Sequence, residues 1–396
     1  MPNKKILVTT STFPRWLGDT DPPFIYYLCQ GLQDYEVHVL APHCEGSKEE
    51  EVFNGIHVHR YRYAPETMEV LAYDGGLLRK IKRRPLYALL LPLFVAGQWL
   101  AIRRLQRKHQ FSLIHAHWII PQGFVVALSS YKFLLTSHGG DLYALNSKFL
   151  APVKRWILRK AARLTVVSHG MVNECINLGL TGNDVDVQPM GVDTTDLFVA
   201  PDGRQKSARN GLLCVGRLVE KKGIPVLIEA MAELRSKDIL PELTIIGDGP
   251  EAENLKSLVA QKQLQDQVSF LGAISNKDLP AYYQQASIFV LPSIISRDGD
   301  QEGLGLVSVE AMACGCPVIA SALPAVKDVI SHDKDGLLFE PGSASELAQA
   351  IHRLLGDEKL RNTLAEEGLQ RASYFDWKKV SARYQAIIEQ LINDQS

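Results

Sequence analysis

Short apolar runs alternate with longer stretches of helical spacing along the first half of the chain. The runs are KKILVTTS from Lys4, VHVLAP from Val37, FSLIHAHW from Phe111, FLLTSHG from Phe133 and LTVVSHG from Leu164, with a helical stretch from Phe24 to Leu32. A strand buried on both faces reads as a continuous apolar run, and helices between such strands are the crossovers of a parallel sheet. The rhythm restarts after Val199. The polar segment VAPDGRQKSARNG, with Pro201, Gly203 and Gly211, reads as a linker, and GLLCVGRL, LTIIGDG, VSFLG, IFVLPS, CPVIAS and GLLFEP follow it. The pattern predicts an α/β protein of two doubly wound, Rossmann-like domains, residues 1–198 and 211–375. Ligands of such sheets sit beyond the carboxyl ends of the strands, so a cleft between the two domains is the expected site.

Composition narrows the class. A chain of 396 residues, 46% apolar and 22% charged, can bury two cores. Its formal net charge of -1 excludes a chain-wide basic field, and no nucleic-acid partner is expected. The six cysteines, Cys29, Cys44, Cys175, Cys214, Cys314 and Cys316, form no C-x2-C pair and read as reduced, packed thiols. The opening MPNKKILVTT carries too short an apolar run for a signal peptide, so a cytoplasmic location is expected.

One local field stands out. Between Gly75 and Gly140 there are ten Lys or Arg residues and no Asp or Glu. RKIKRR precedes an uncharged run from Pro85 to Ile102, and RRLQRK follows it. The run approaches transmembrane length, but Pro92 interrupts it and both flanks are basic. A segment lying on an anionic lipid surface, residues 79–108, is the preferred reading, and a core helix with basic ends is the alternative. The first would go with a lipid-linked acceptor and the inner face of the plasma membrane.

The candidate chemistry lies at strand ends. GRLVEKKG sets Arg217 and Lys222 in a turn bounded by Gly216 and Gly223, where two cations suit a diphosphate; a solvated charged loop is the plainer reading. From Gly303 to Ala325 the only charged residue is Glu310, in an otherwise apolar helix. A buried carboxylate needs hydrogen-bond donors, so Glu310 is expected to face the hydroxyls of a ribose unless it sits on an exposed helix face. That helix should begin near Leu304 and offer its free N–H groups to an anion beside Glu302. TSHGGDLYAL brings His138 and Asp141 to another strand end, where each could bond a sugar hydroxyl. His115 and His117 are strand-end residues with no assigned chemistry. STFPRWLGDTDPPF, with Gly18, follows the first strand, where a substrate-closing loop would sit. Asp298-Gly299-Asp300 and Asp19-Thr20-Asp21 match a D-x-D metal motif only superficially, since both lie in polar loops.

E-G-L-G-L-V-S-V-E, with Glu302 and Glu310 separated by seven residues and followed by AMACGCPVIAS, resembles the E-x7-E signature of family 4 retaining glycosyltransferases of the GT-B fold. GRLVEKKG, IIGDGPE, HGGD, VVSHGM, PMGVDTTDLF and DGLLFEPG recur in that family's order, so the resemblance covers essentially the whole chain. It implies that Arg217 and Lys222 bind the donor diphosphate and that Glu310 binds the nucleotide ribose. Glu302 would contact the donor sugar and His138 would lie beside the transferred sugar, and these two are the implied catalytic residues. Gly18, Gly247, Leu304, Gly305 and Leu306 would complete the donor site, and Asp141 would touch the acceptor or the sugar. Met190 departs from the family, which often has Asn before Gly191-Val192-Asp193. The resemblance further implies that the helix 376–396 crosses back onto the first domain. Transfer would proceed with retention, without cofactor or metal, from a UDP- or GDP-linked hexose to a glycan or lipid-linked acceptor in envelope polysaccharide or glycolipid synthesis. A front-face route, in which the leaving phosphate takes the acceptor's proton, would need Arg217, Lys222 and a helix N-terminus to stabilise the diphosphate. The alternatives are a non-catalytic sugar-binding protein and a nucleotide-sugar epimerase. A nicotinamide oxidoreductase fits poorly, because no G-x-G-x-x-G follows the first strand, and nothing signals the pyridoxal phosphate of a phosphorylase.

Overall fold

The computed structural model describes residues 4–394 except 17–18, 20–22, 74–76, 144–149 and 202–208. The chain divides into two compact units: residues 1–167, 171–188 and 378–396 form the first, and 168–170 with 189–377 form the second. Each unit is α/β and is built on a largely parallel sheet.

In the first unit the strands are β1 (Lys4–Thr9), β2 (Tyr35–Pro42), β3 (Glu50–Phe53), β4 (Ile56–Tyr61), β5 (Leu113–His117), β6 (Phe133–Ser137), β7 (Arg163–Val166) and β8 (Val185–Val187). They lie in the order β3-β4-β2-β1-β5-β6-β7-β8, and only β3, at the edge, runs antiparallel to its neighbour. The order reverses direction at β1 and β5, which is where a doubly wound sheet opens a crevice for ligands. Ile6, Leu7 and Val8 of β1 are fully buried, as expected of a central strand covered on both faces.

Two helices of this unit bear on function. After a short turn at Pro85–Leu90, the helix Leu91–His109 carries Pro92 in its first turn, where the missing N–H breaks no helical hydrogen bond. The proline that reads as an interruption is therefore a start. Phe94, Gln98, Ile102 and Leu105 are buried, and Gln98 Nε2 donates to Thr9 Oγ1 at 2.8 Å. Leu86, Leu89, Leu93 and Leu100 stay 78, 74, 52 and 60% exposed. The helix Trp377–Asn393 buries Val380, Tyr384, Ile388 and Leu391, the stripe that helical spacing produces. Tyr384 donates to the Gln188 carbonyl at 3.1 Å, Lys132 donates to the Leu391 carbonyl at 2.6 Å, and a Cβ at Gly31 would lie 2.0 Å from Ser381 Oγ.

In the second unit the strands are β9 (Asn210–Val215), β10 (Leu243–Ile246), β11 (Val268–Phe270), β12 (Ala286–Leu291), β13 (Val318–Ser321) and β14 (Leu337–Phe339). Their order is β11-β10-β9-β12-β13-β14, all parallel, with the reversal at β9 and β12. The core is apolar throughout, from Leu212 and Ile228 to Leu354 and Leu364. The helices Ala344–Gly356 and Glu358–Ala372 are capped by Ser343 and Asp357, which accept from the N–H groups of Glu346 and Leu360 at 3.3 and 2.9 Å.

The unit boundary differs from the sequence expectation, because residues 189–198 belong to the second unit. Met190 and Val192 are buried there, Val192 bridges to Asp376, and Phe198 meets Tyr283 edge-on. A Cβ at Gly191 would lie 2.6 Å from the Trp377 ring. The departure at Met190 is thus a packing residue. The five described cysteines other than Cys44 are buried, and burial pushes the Cys175, Cys214 and Cys316 thiols up to about 12, as inert packed thiols should be.

Candidate active site

In the second unit, the carboxyl ends of β9, β10 and β12 carry the residues singled out from sequence. β9 is followed by Gly216 at φ +155°, where a Cβ would meet the Lys222 Cε at 3.4 Å. β10 is followed by Gly247 at φ +138°, so close to the neighbouring turn that a Cβ would fall 2.0 Å from the Gly216 carbonyl oxygen. Only glycine permits that approach. Arg217 lies between these turns, with Leu218 N–H donating to the Asp248 carbonyl at 2.9 Å.

Lys222 ends the short turn Glu220–Lys222 and donates to Glu302 Oε2 at 2.6 Å, where Ser293 Oγ also reaches at 3.4 Å. Burial works to raise the Glu302 carboxyl, but Lys222, Lys221 and Ser293 outweigh it and hold its pKa below the ordinary carboxylate value. Glu302 is therefore ionised, and a cation and an anion are fixed together at this end of the second sheet. Neighbouring Lys221 donates to Asp300 Oδ1 at 3.0 Å and to the Gln301 carbonyl at 3.1 Å, while Ser296 Oγ donates to Asp298 Oδ1 at 2.7 Å. The Asp298-Gly299-Asp300 carboxylates thus anchor their own loop. In the other D-x-D match, Asp19 pairs with Arg15 at 2.7 Å, and Thr20 and Asp21 lie outside the described residues.

The helix expected to begin near Leu304 runs from Leu306 to Ala313, with Gly305 at its N-cap and φ +85°. Leu304 is buried at 5% exposure, so that position offers backbone, not side chain, to a ligand. Gly305 has no side chain to occupy the first-turn N–H groups. One turn on, Glu310 accepts from Tyr283 Oη at 2.8 Å. Burial raises the Glu310 carboxyl to about 7 against the pull of that hydrogen bond and of Lys222. The residue as a whole is half-buried.

In the first unit, His138 follows β6 and its Nε2 lies 2.9 Å from Nδ1 of His117 at the end of β5. Burial holds His138 at about 3 and His117 well below its ordinary value, so both rings are neutral and one proton serves the contact. Trp118 and Phe24 flank His138 at 4.8 and 5.2 Å between ring centroids. One ring nitrogen of His138 is thereby fixed and Nδ1 is left to bind a ligand. Asp141, expected to touch the acceptor or the sugar, is a brace in this structure. Its oxygens accept from Ile119 N–H at 2.7 Å, Ser137 Oγ at 2.9 Å and His138 N–H at 3.1 Å, and it is buried. His115 is buried on the Thr136 hydroxyl at 2.7 Å, a structural place. Gly18 lies outside the described residues.

The structure thus brings Lys222, Glu302, Gly247, Gly305 and Glu310 together with Arg217 on the second unit, and His138 with Asp141 on the first. Sequence reasoning missed Tyr283, Ser293 and the pairing role of His117. Tyr283 carries no local signal; His117 had one, since HAH and TSHG end neighbouring parallel strands, with His117 level with Thr136 and His138 two residues further on.

Comparison with known proteins shows the family and the fold. Residues 24–196 match the family described as Glycosyltransferase Family 4, and residues 200–371 match Glycosyl transferases group 1. An uncharacterised glycosyltransferase of Methanocaldococcus jannaschii is 30% identical over 287 residues, covering 70% of this chain and 75% of the relative. The amylovoran biosynthesis glycosyltransferase AmsK of Erwinia amylovora is 34% identical over 48% of this chain and 47% of its own. A GDP-mannose-dependent α-(1-6)-phosphatidylinositol monomannoside mannosyltransferase of Mycobacterium tuberculosis is 31% identical over 57% of this chain and 61% of its own. Among solved structures, sucrose-phosphate synthase from Thermosynechococcus elongatus aligns over 99% of this chain and 100% of its own with a TM-score of 0.80 and 24% identity. Anabaena HepE in complex with UDP and glucose aligns over 98% and 99% with a TM-score of 0.72 and 21% identity. Both share the GT-B fold of two Rossmann-like domains. The chain belongs to the family 4, group 1 glycosyltransferases.

Proposed function

We propose that the protein is a retaining glycosyltransferase that moves a hexose from a UDP- or GDP-linked donor to a glycan or lipid-linked acceptor in polysaccharide or glycolipid synthesis. The observation that carries the reading is the pairing of Lys222 with Glu302 at 2.6 Å beside Glu310, at the reversal point of the second sheet. Lys222 and Arg217 neutralise the diphosphate, Glu310 accepts from the ribose hydroxyls, and Glu302 contacts the donor sugar. Charge grows on the diphosphate as it leaves, so fixed cations and first-turn N–H groups stabilise the transition state more than the ground state. In the front-face route the acceptor oxygen bonds to the anomeric carbon as the carbon–phosphate oxygen bond breaks on the same face. The leaving phosphate oxygen takes the acceptor's proton. His138, held by His117 and Asp141, offers its free ring nitrogen to a hydroxyl of the transferred sugar. A relative named for GDP-mannose and a neighbour solved with UDP support keeping both bases open.

We place the enzyme in the cytoplasm, on the inner face of the membrane, with residues 79–108 as the contact. Exposed Leu86, Leu89, Leu93 and Leu100 beside a basic last turn support this reading. By length and composition alone, Pro85–His109 could span a membrane, but its buried stripe is packed in the first unit.

The test is a panel of UDP-, GDP- and ADP-sugars, followed by thermal shift and by mass spectrometry of donor turnover, with Glu310→Ala and Arg217→Ala alongside. One nucleotide family should stabilise the wild type and neither variant. Silence across the panel would sink the transferase reading in favour of sugar binding alone, and an epimerised donor would favour the epimerase.

A further inference from the structure

The first unit holds a second group of histidines that the transfer chemistry does not use. His38 of β2 and His57 and His59 of β4 point to one face of the first sheet, since His38 pairs with His57 and Leu40 with His59 in register. His109, in the last turn of the helix Leu91–His109, packs onto them, its ring 4.4 Å from His38 and 5.8 Å from His59. His115 and His117 lie on the opposite face, because His38 is level with Leu7 of β1 and His115 with Val8. The two groups are therefore separate sites.

We propose that His38, His59 and His109 form a binding site for a divalent transition-metal ion of the zinc class. Their ligand atoms lie within 4.8 Å of one another, and the tetrahedral spacing around zinc is about 3.3 Å, so small ring movements close the set. His38 Nδ1 lies 3.0 Å from His59 Nε2. His38 Nε2 lies 2.9 Å from Glu36 Oε1, which also pairs with Lys5 at 3.1 Å. The ionised Glu36 can only accept, so the His38 proton sits on Nε2 and Nδ1 is a bare lone pair. A carboxylate on the far nitrogen of a ligating imidazole is the arrangement metal sites use to fix the tautomer. His59 Nδ1 faces Glu50 Oε1 at 3.6 Å, just beyond hydrogen-bond reach.

Two atoms argue for a ligand over a closed hydrogen-bond network. His109 Nε2 and His59 Nδ1 are buried and have no hydrogen-bond partner, a costly state for a neutral imidazole. If His59 Nε2 donated to His38, its Nδ1 would be a bare acceptor facing the Glu50 carboxylate, a repulsive pairing. With Nε2 on a metal, the Nδ1 proton faces Glu50 instead. Phe111, 5.0 Å from His38 and 5.6 Å from His109, walls the group with an apolar ring. His57, stacked on His38 at 4.7 Å, or water supplies a fourth ligand. The ion would tie the end of the helix Leu91–His109 to strands β2 and β4, a structural role.

The test uses untagged, chelator-stripped protein titrated with Zn2+ by calorimetry and with Co2+ by visible absorption, which reports tetrahedral nitrogen coordination. The wild type should bind one ion and gain thermal stability. His109→Gln, at a half-buried helix end where folding is least at risk, should weaken binding at least 100-fold, as should His59→Gln. Glu36→Gln should weaken it about 10–100-fold through the loss of its hold on His38. Absence of saturable binding by the wild type, or affinity unchanged in the folded His109→Gln protein, would overturn the proposal.

Discussion

At the scale of single residues, the donor group couples charge to pH in a way that can be read out. Glu310 is raised from 4.5 to about 7, so between those values it is protonated in the folded protein and ionised in the unfolded chain. Ribose hydroxyls donate to its ionised form, and a bound nucleotide sugar should therefore hold the proton off. Donor affinity should climb about tenfold per pH unit below about 7 and level off above it. Calorimetry with a nucleotide sugar across this range checks the slope, and Glu310→Gln should flatten it. The same raised value means that ionisation costs stability increasingly as pH rises from 4.5 to about 7. Glu310→Gln should accordingly raise Tm above pH 7 and do little below pH 4.5. Lys222 acts in the opposite sense, since it keeps Glu302 ionised. Lys222→Ala should lower kcat by on the order of 10²–10³, measured by steady-state donor turnover, because it removes a fixed cation from the leaving group.

Elements decide which faces of these residues are available. The helix Leu91–His109 is amphipathic in an unusual sense: its stripe of Phe94, Gln98, Ile102 and Leu105 is packed, and leucines also occupy the outer face. Vesicles containing anionic lipid should sediment with the wild type and much less with Leu86→Glu/Leu89→Glu/Leu93→Glu, and added salt should weaken binding through the basic residues. Equal binding of the two proteins would return this helix to a plain surface role. Sequence periodicity revealed the helix but not its orientation, since both faces are apolar and only contact with the sheet chooses between them. The same limit applies to the glycine turns. GRLVEKKG and IIGDGPE mark two turns, but only the fold shows that a Cβ on Gly247 would fall 2.0 Å from the Gly216 carbonyl oxygen. Gly247→Ala should cost about 1–3 kcal/mol in chemical denaturation, through clash and strain together.

At the scale of the whole molecule, strand–helix alternation made both sheets legible, because parallel strands buried on two faces must be apolar along their length. What the sequence could not show was pairing across long separations. Lys222 meets Glu302 across eighty residues, Tyr283 reaches Glu310 from a different helix, and the histidines of the proposed metal site span His38 to His109. The boundary at 189–198 was hidden for the same reason: Gly191 packs on Trp377 and Val192 bridges to Asp376, far along the chain. The helix Trp377–Asn393 carries the widest consequence. Truncation after Trp377 should leave the second unit folded and the first exposing apolar surface, seen as dye binding and loss of one of two unfolding transitions. Because residues 378–396 complete the first unit, a ribosome translating this message finishes the second unit's residues before it can supply the first with its last helix. Order of synthesis and order of completion are thus reversed. The half of the enzyme that emerges first must wait, partly unsealed, for the codons of residues 378–396.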